Sequence, residues 1–309
     1  MAYDFKAVMS QPERFSGGHR LCAGCGAPIA VRGVLRALNP GDRAVIGNAT
    51  GCLEVSSFLY PYTAWQDSYI HSAFENAGAT IGGVEACYRA LKKRGKIDDT
   101  FKFIAFGGDG GTYDIGFQSL SGAMERGHDM VYVCYDNEAY MNTGIQRSSS
   151  TPMFADATTS PAGSVIPGKQ QRKKNLTEVI IAHDVPYAAQ TTFVGNFKDL
   201  HEKARKAIYT PGACFLNVMA PCPRGWRYPT EELMTLCKLA VETCVWPLYE
   251  YEAGEWRVNY VPKQKLPVEE YLRPQGRFAH MFKPGNEWMI ETCQQEVDRK
   301  WEALLRRCR

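Results

Sequence analysis

Two apolar runs, Phe101-Lys-Phe-Ile-Ala-Phe106 and Met130-Val-Tyr-Val-Cys-Tyr135, flank a glycine-rich turn, Gly107-Gly-Asp-Gly-Gly111, and a helical stretch reaching about Arg126. Strands buried on both faces read as unbroken apolar runs, and two strands joined through a helix must run parallel. The pattern therefore predicts a βαβ unit. A further apolar run lies ahead of it at Arg43–Gly47. Two helix–strand pairs follow, Leu176–His183 with Tyr187–Phe193 and Lys198–Tyr209 with Ala213–Met219. Together these elements predict an α/β fold with a doubly wound, mostly parallel sheet.

Outside that frame, residues 26–38 carry apolar side chains at helical spacing, and 72–94 form a small-residue helix able to pack closely. Residues 144–175, rich in Ser, Thr, Pro and Gly, are expected to be a long irregular segment of the kind that is often functional. The character changes after Trp226. Residues 230–245 read as a helix, 247–259 as a hairpin and 284–306 as a charged helix. The division expected is a domain over 1–226 and a C-terminal α+β arm over 227–309, too small and polar to hold a full core and placed on a partner subunit or around the first domain.

The 309 residues carry 36 basic and 33 acidic side chains, a formal charge of +3. That balance argues against a nucleic-acid footprint, and Arg172-Lys173-Lys174 reads as a solvated loop. With no apolar run of membrane length and no signal-peptide pattern in MAYDFKAVMS, the expected location is the cytoplasm, away from membranes. There the eleven cysteines stay reduced.

A glycine turn at the carboxyl end of a parallel strand lets backbone approach a phosphate. Asp109 would repel that phosphate unless a cation lay between, and Mg²⁺ suits because it shares its octahedron between protein and phosphate oxygens. Asn137, at the end of the next strand, can supply a second oxygen. The plainer alternative is a tight turn beside a polar loop. The pair Cys22-Ala-Gly-Cys25 can be a redox couple, half of a zinc site or half of an iron–sulfur site, and spacing does not choose.

Taken together, the stretches CAGCGAP, ATGCLEV, YPYTAW, IHSAFENAGA, GGDGGTYDIGFQSLSGAMERGHD, YDNEAYMNTGIQRSSSTP and PCPRGWRYP, with the tail Tyr271-Leu-Arg-Pro-Gln-Gly-Arg-Phe278, resemble the β subunit of the 2-oxoacid:ferredoxin oxidoreductases of the pyruvate synthase type. The resemblance spans essentially the whole chain and implies the diphosphate-binding domain of thiamine diphosphate enzymes. It implies Mg²⁺ on Asp109, Asn137 and the carbonyl of Ala139, phosphates against Gly108 and Gly110, and Asn142 and Thr143 beside the reacting thiazolium. It also implies a [4Fe-4S] cluster on Cys22, Cys25, Cys52 and Cys222. Cys52 and Cys222 follow strands whose carboxyl ends face one way, so all four can meet at one sheet edge. Ligand type alone leaves zinc on the same four sulfurs open.

The implied partners are an α subunit carrying the pyrimidine domain and its activating glutamate, a ferredoxin-like subunit with further clusters, and ferredoxin. The substrate is a small 2-oxoacid, pyruvate by default, with CoA. Tyr113 and Gln66-Asp67-Ser68 depart from the pyruvate pattern and keep an oxalate-acting relative open, on the expectation that they lie near the cofactor. A non-catalytic zinc-binding scaffold is the reading from a different class. Cys87, Cys134, Cys214, Cys237 and Cys244 read as small core residues, Cys293 and Cys308 as incidental, and His71 and Glu75 as structural hydrogen-bonding residues.

Overall fold

A computed structural model describes residues 3–308. The strands are β1 (Arg43–Ala49), β2 (Phe58–Leu59), β3 (Tyr62–Thr63), β4 (Ser68–Ser72), β5 (Phe101–Gly108), β6 (Met130–Asp136), β7 (Tyr187–Thr191), β8 (Ala213–Met219), β9 (Tyr249–Glu252) and β10 (Glu255–Val258). Eight of them form one sheet in the order β10-β9-β7-β8-β6-β5-β1-β4, while β2 and β3 make a separate hairpin. Every pairing from β4 to β7 is parallel, and β9 and β10 extend the sheet antiparallel past β7.

The central strands are apolar throughout because helices cover both faces. All seven residues of β6 and of β8 are buried. One face packs helices Gly26–Leu35 and Lys198–Tyr209 around Val31, Val34, Leu200 and Leu216; the other packs Ala77–Lys93 and Phe117–Glu125 around Ile81, Leu120 and Phe215. Small residues at 77–83 serve that contact. A Cβ on Gly47 would fall 2.2 Å from Ile81, and one on Gly78 would fall 3.1 Å from the backbone of the neighbouring helix.

The edge strand β4 was not anticipated: only Ser72 falls within the predicted 72–94 helix, which begins at Ala77, and the half-exposed sequence Ser-Tyr-Ile-His-Ser lacks an apolar run. Residues 227–309 add β9 and β10 to the same sheet, and Leu236, Cys237, Trp246 and Phe278 join its core. This segment therefore packs on its own chain. Cys87, expected in the core, lies on the outer side of helix Ala77–Lys93 and is exposed; Cys134, Cys214, Cys237 and Cys244 are buried. No helix among the described residues is long and apolar enough to cross a membrane.

Helix Gly26–Leu35 is pinned by its first residue. Gly26 N donates to Pro221 O at 3.0 Å, and a Cβ there would lie 2.7 Å from the backbone of Ala220. Backbone cannot yield as a side-chain tip can. Gly26→Ala is therefore expected to cost about 1–3 kcal/mol of stability, whereas Gly41→Ala, with nothing within 4 Å, should stay within about 0.5 kcal/mol. Denaturant unfolding of both variants checks this, and equal losses would contradict it.

Candidate functional site

Four neighbouring parallel strands, β1, β5, β6 and β8, end at the same edge of the sheet and are followed by Cys52, Asp109, Asn137 and Cys222. A cleft of about 120 Å³ opens there, lined by Thr50, Cys52, Gly108, Asp109, Gly110, Asn137, Ala139, Asn142 and Thr143, with Phe74, Tyr135 and Tyr140 in its walls. The residues anticipated for the diphosphate and its cation thus share one cleft with Cys52, while Cys22, Cys25 and Cys222 are not in its lining.

Asp109 is fully buried, and its Oδ2 accepts from Ser148 Oγ at 2.5 Å. One terminal amide atom of Asn137 sits 2.8 Å from Asp109 Oδ1 and 2.9 Å from the carbonyl oxygen of Ala139. With nitrogen in that place the amide donates to both; turned over, it presents a third oxygen to the same point. Burial first, and then the charge of Asp136, pushes the Asp109 carboxyl well above the usual carboxylate range. A divalent cation would supply the missing countercharge, so this donor set fits Mg²⁺.

The glycine run is not a tight turn. None of Gly107, Gly108, Gly110 or Gly111 has positive φ; the first two finish β5, and Gly110–Asp114 form one wide π-helical turn. Space is what these glycines provide. A Cβ on Gly110 would lie 2.4 Å from the Tyr140 ring, and one on Gly107 would lie 2.3 Å from Tyr132 Oη. Asn142 and Thr143 are exposed at the cleft mouth, where Thr143 Oγ1 donates to Gln146 Oε1 at 3.0 Å.

Behind the cleft lies a second layer of charge that the sequence did not disclose. Asp136 and Glu138, on either side of Asn137, are both buried and share Lys173, whose Nζ is 2.9 Å from Asp136 and 2.8 Å from Glu138. The basic run at 172–174 is thus no solvated loop. Tyr113 Oη donates to Asp136 at 2.7 Å, and Ser150 Oγ does so at 2.6 Å. Glu138 adopts φ 68°, a left-handed conformation that costs a non-glycine residue about 1–2 kcal/mol. Its ion pairs hold it there.

The cysteines gather beside this cleft. The segment 20–26 runs from Ser56, through a hydrogen bond of 2.8 Å from Arg20 N, to Pro221. It carries Cys22 and Cys25 between the turns that hold Cys52 and Cys222. Cys22, Cys52 and Cys222 all act on the Cys25 thiol, which burial pushes up to about 12; Cys52, likewise raised to about 12 by burial, also feels Asp109. Cys222 Sγ accepts from Gly225 N at 3.4 Å. Among the described residues, no three His, Cys, Asp or Glu side chains close on one point as a single ion requires.

Several expectations need correction. Tyr113 is buried behind the strands, where it accepts from Asn217 at 2.7 Å, and Asp67 pairs with Arg14 at 2.6 Å; neither Tyr113 nor residues 66–68 line the cleft. Glu75 is exposed rather than bonded within the fold, whereas His71 does make the structural hydrogen bond expected of it, at 2.9 Å with Thr50. Ser148, Tyr135 and Tyr140 escaped notice as site residues, although SSSTP and YDNEAY contain them. Tyr135 Oη is buried without a partner.

The buried charge gives a prediction of opposite signs. Because the folded pKa of Asp109 is raised, the metal-free fold holds a proton that the unfolded chain releases, and this contribution to stability is lost as pH rises through the folded pKa. At neutral pH, Asp109→Asn should therefore stabilise the metal-free chain by about 1–3 kcal/mol. Thermal unfolding at pH 7.5 checks this, and a melting point at or below wild type would contradict it.

The "Thiamine pyrophosphate enzyme, C-terminal TPP binding domain" family matches residues 46–218. Over 292 residues the chain is 54% identical to the pyruvate synthase subunit PorB of Thermotoga maritima, covering 93% of this chain and 90% of that one. It is 52% identical over 301 residues to the subunit of the same name in Methanocaldococcus jannaschii, covering 96% and 99%. Against the ketoisovalerate oxidoreductase subunit VorB of Pyrococcus abyssi the identity is 43%, covering 97% and 96%. A 2-oxoglutarate:ferredoxin oxidoreductase from Magnetococcus marinus, solved with 2-oxoglutarate, coenzyme A and succinyl-CoA bound, shares the fold at TM-score 0.57 and 22% identity over 77% of this chain and 80% of that one. The chain belongs to the family of β subunits of the 2-oxoacid:ferredoxin oxidoreductases, built on the C-terminal TPP-binding domain of thiamine pyrophosphate enzymes.

Proposed function

We propose that this chain is the cofactor-clamping and cluster-bearing subunit of a cytoplasmic pyruvate:ferredoxin oxidoreductase, which oxidatively decarboxylates pyruvate with CoA to acetyl-CoA. The observation that carries the cofactor reading is the convergence in one cleft of Asp109, buried and given no cationic partner among the described residues, with the Asn137 amide, which touches both Asp109 and the Ala139 carbonyl at 2.8 and 2.9 Å. Turned over, that amide would offer an oxygen beside the other two, a donor set suited to Mg²⁺.

Thiamine diphosphate, when bound, supplies the carbon nucleophile and the electron sink. The protein's contribution is placement. Asp109, Asn137 and the Ala139 carbonyl hold the cation, and Gly108 and Gly110 leave room for the diphosphate. Asn142 and Thr143 offer polar contacts to the substrate end. Cys22, Cys25, Cys52 and Cys222 would hold a [4Fe-4S] cluster, which would supply an electron acceptor beside the cofactor, and Cys52 lines the cleft itself. Four thiols gathered beside the cleft support a cluster there, since four thiolates are its usual ligation, and the likeness to named enzyme subunits speaks against the scaffold reading.

The reading assigns the activating glutamate to an α subunit that completes the cleft. Residues 227–309 supply part of the contact with that subunit, and a ferredoxin-like subunit and ferredoxin carry the electrons onward. Pyruvate is preferred because it is the substrate named for relatives at 52–54% identity. Tyr113 and residues 66–68, which kept oxalate open, do not line the cleft.

The purified chain alone should give no turnover, while the complex reconstituted with its partner subunits should reduce ferredoxin with pyruvate and CoA. Turnover by the lone chain, or reduction with oxalate in place of pyruvate, would contradict this reading. Asp109→Ala should abolish Mg²⁺-dependent cofactor binding in calorimetric titration and leave iron content and visible absorption unchanged; unaltered affinity would remove Asp109 from the metal site.

A further inference from the structure

The tail motif at 271–278 is not used by the functional reading, yet it places a charged side chain at the centre of the molecule. Arg277 is only 2% exposed. Its Nη2 donates to Glu138 Oε2 at 2.5 Å, and its Nε donates to Gln275 Oε1 at 2.9 Å. The guanidinium lies 3.9 Å over the ring of Trp226. Gly276 N donates to Arg227 O at 3.0 Å, and a Cβ at 276 would lie 2.8 Å from Arg227, so the tail is held against the 222–227 turn.

Besides Cys52, which lines the cleft itself, Trp226 and Glu138 connect the two sites. Trp226 N donates to Cys222 O at 2.9 Å, and its Nε1 donates to the main-chain oxygen of Asn137 at 2.7 Å. One indole thus ties a cluster cysteine to a metal-binding asparagine. Glu138 follows Asn137 directly and needs its left-handed backbone to be held. Arg277 grips both, by a charge-assisted bond on one side and by stacking on the other.

From this geometry, and resting on the reading that Asn137 holds the cation and Cys222 the cluster, we infer that Arg277 is a positioning residue that sets the relation between the two cofactor sites. It touches neither cofactor. It fixes the 136–139 loop through Glu138 and the Cys222 turn through Trp226, so its loss disturbs both sites at once although it lies far from them in sequence. A residue that merely supported the arm would change stability and leave both sites alone.

The test uses the reconstituted complex with Arg277→Met and Arg277→Lys, reading Mg²⁺-dependent thiamine diphosphate affinity by calorimetry and the reduced cluster by electron paramagnetic resonance. Removing the partner behind a metal ligand commonly costs about 10–100-fold in affinity, and the Met variant should lose about that much and show an altered cluster spectrum. The Lys variant keeps the charge on Glu138 but lacks the fork and the stack. It should bind within about three-fold of wild type, well below that loss, and retain the altered spectrum. A folded Met variant with wild-type affinity and spectrum overturns the inference, as does one in which only the melting point moves. Should the Met variant fail to fold, the Lys variant decides: an altered spectrum supports the inference and a wild-type spectrum overturns it. A wild-type complex without iron or without Mg²⁺-dependent binding would instead bring down the functional reading beneath it.

Discussion

Three carboxylates packed side by side at the end of two buried strands are the constraint around which this structure is arranged. Asp109, Asp136 and Glu138 are each at most 1% exposed. Burying one unpaired charge is costly, and burying three together more so. The chain meets two of them internally. Lys173 bridges Asp136 and Glu138, and Arg277 takes the other oxygen of Glu138. Asp109 receives a serine hydroxyl and no cationic side chain. The protein thus neutralises the carboxylates that shape the loop and gives the one that faces the cleft no cationic side chain among the described residues, which is why the proposed function places a metal ion there.

The same arrangement explains why the long irregular segment is ordered. Ser148, Ser149 and Ser150 donate in turn to Asp109, Asp114 and Asp136, and Lys173 and Lys174 close on the same acids from the segment's far end. A loop with neither helix nor strand is fixed by charge-assisted bonds, which are shorter and stronger than neutral ones. Helix Glu287–Arg307 lies over its end, where Glu296 pairs with Arg172 at 3.3 Å. The C-terminal arm is therefore coupled to the site through the loop it covers.

Much of this was legible in the sequence because the central strands are apolar on both faces and end in residues of distinctive chemistry. The βαβ pattern foretells parallel strands with their carboxyl ends on one side, and the order β1, β5, β6, β8 that the structure adds places Cys52, Asp109, Asn137 and Cys222 along one edge. Edge strand β4 was not legible, since half its residues face water. Lys173 was misread because a basic run looks the same whether it meets solvent or buried acids across 35 to 37 positions. The glycines of the 107–111 run stand out in the sequence as a place for backbone to approach a phosphate, and packing gives them a second role that the sequence does not disclose. They yield room to Tyr132 and Tyr140, whose positions depend on tertiary packing.

The central claim is that a divalent cation held by Asp109, Asn137 and Ala139 sits beside a cluster held by four thiols. Replacing Mg²⁺ with Mn²⁺ in the thiamine diphosphate-loaded complex makes both centres visible to electron paramagnetic resonance. The account expects one bound Mn²⁺ per chain whose signal relaxes faster when the cluster is reduced. A Mn²⁺ signal indifferent to the state of the iron would contradict it.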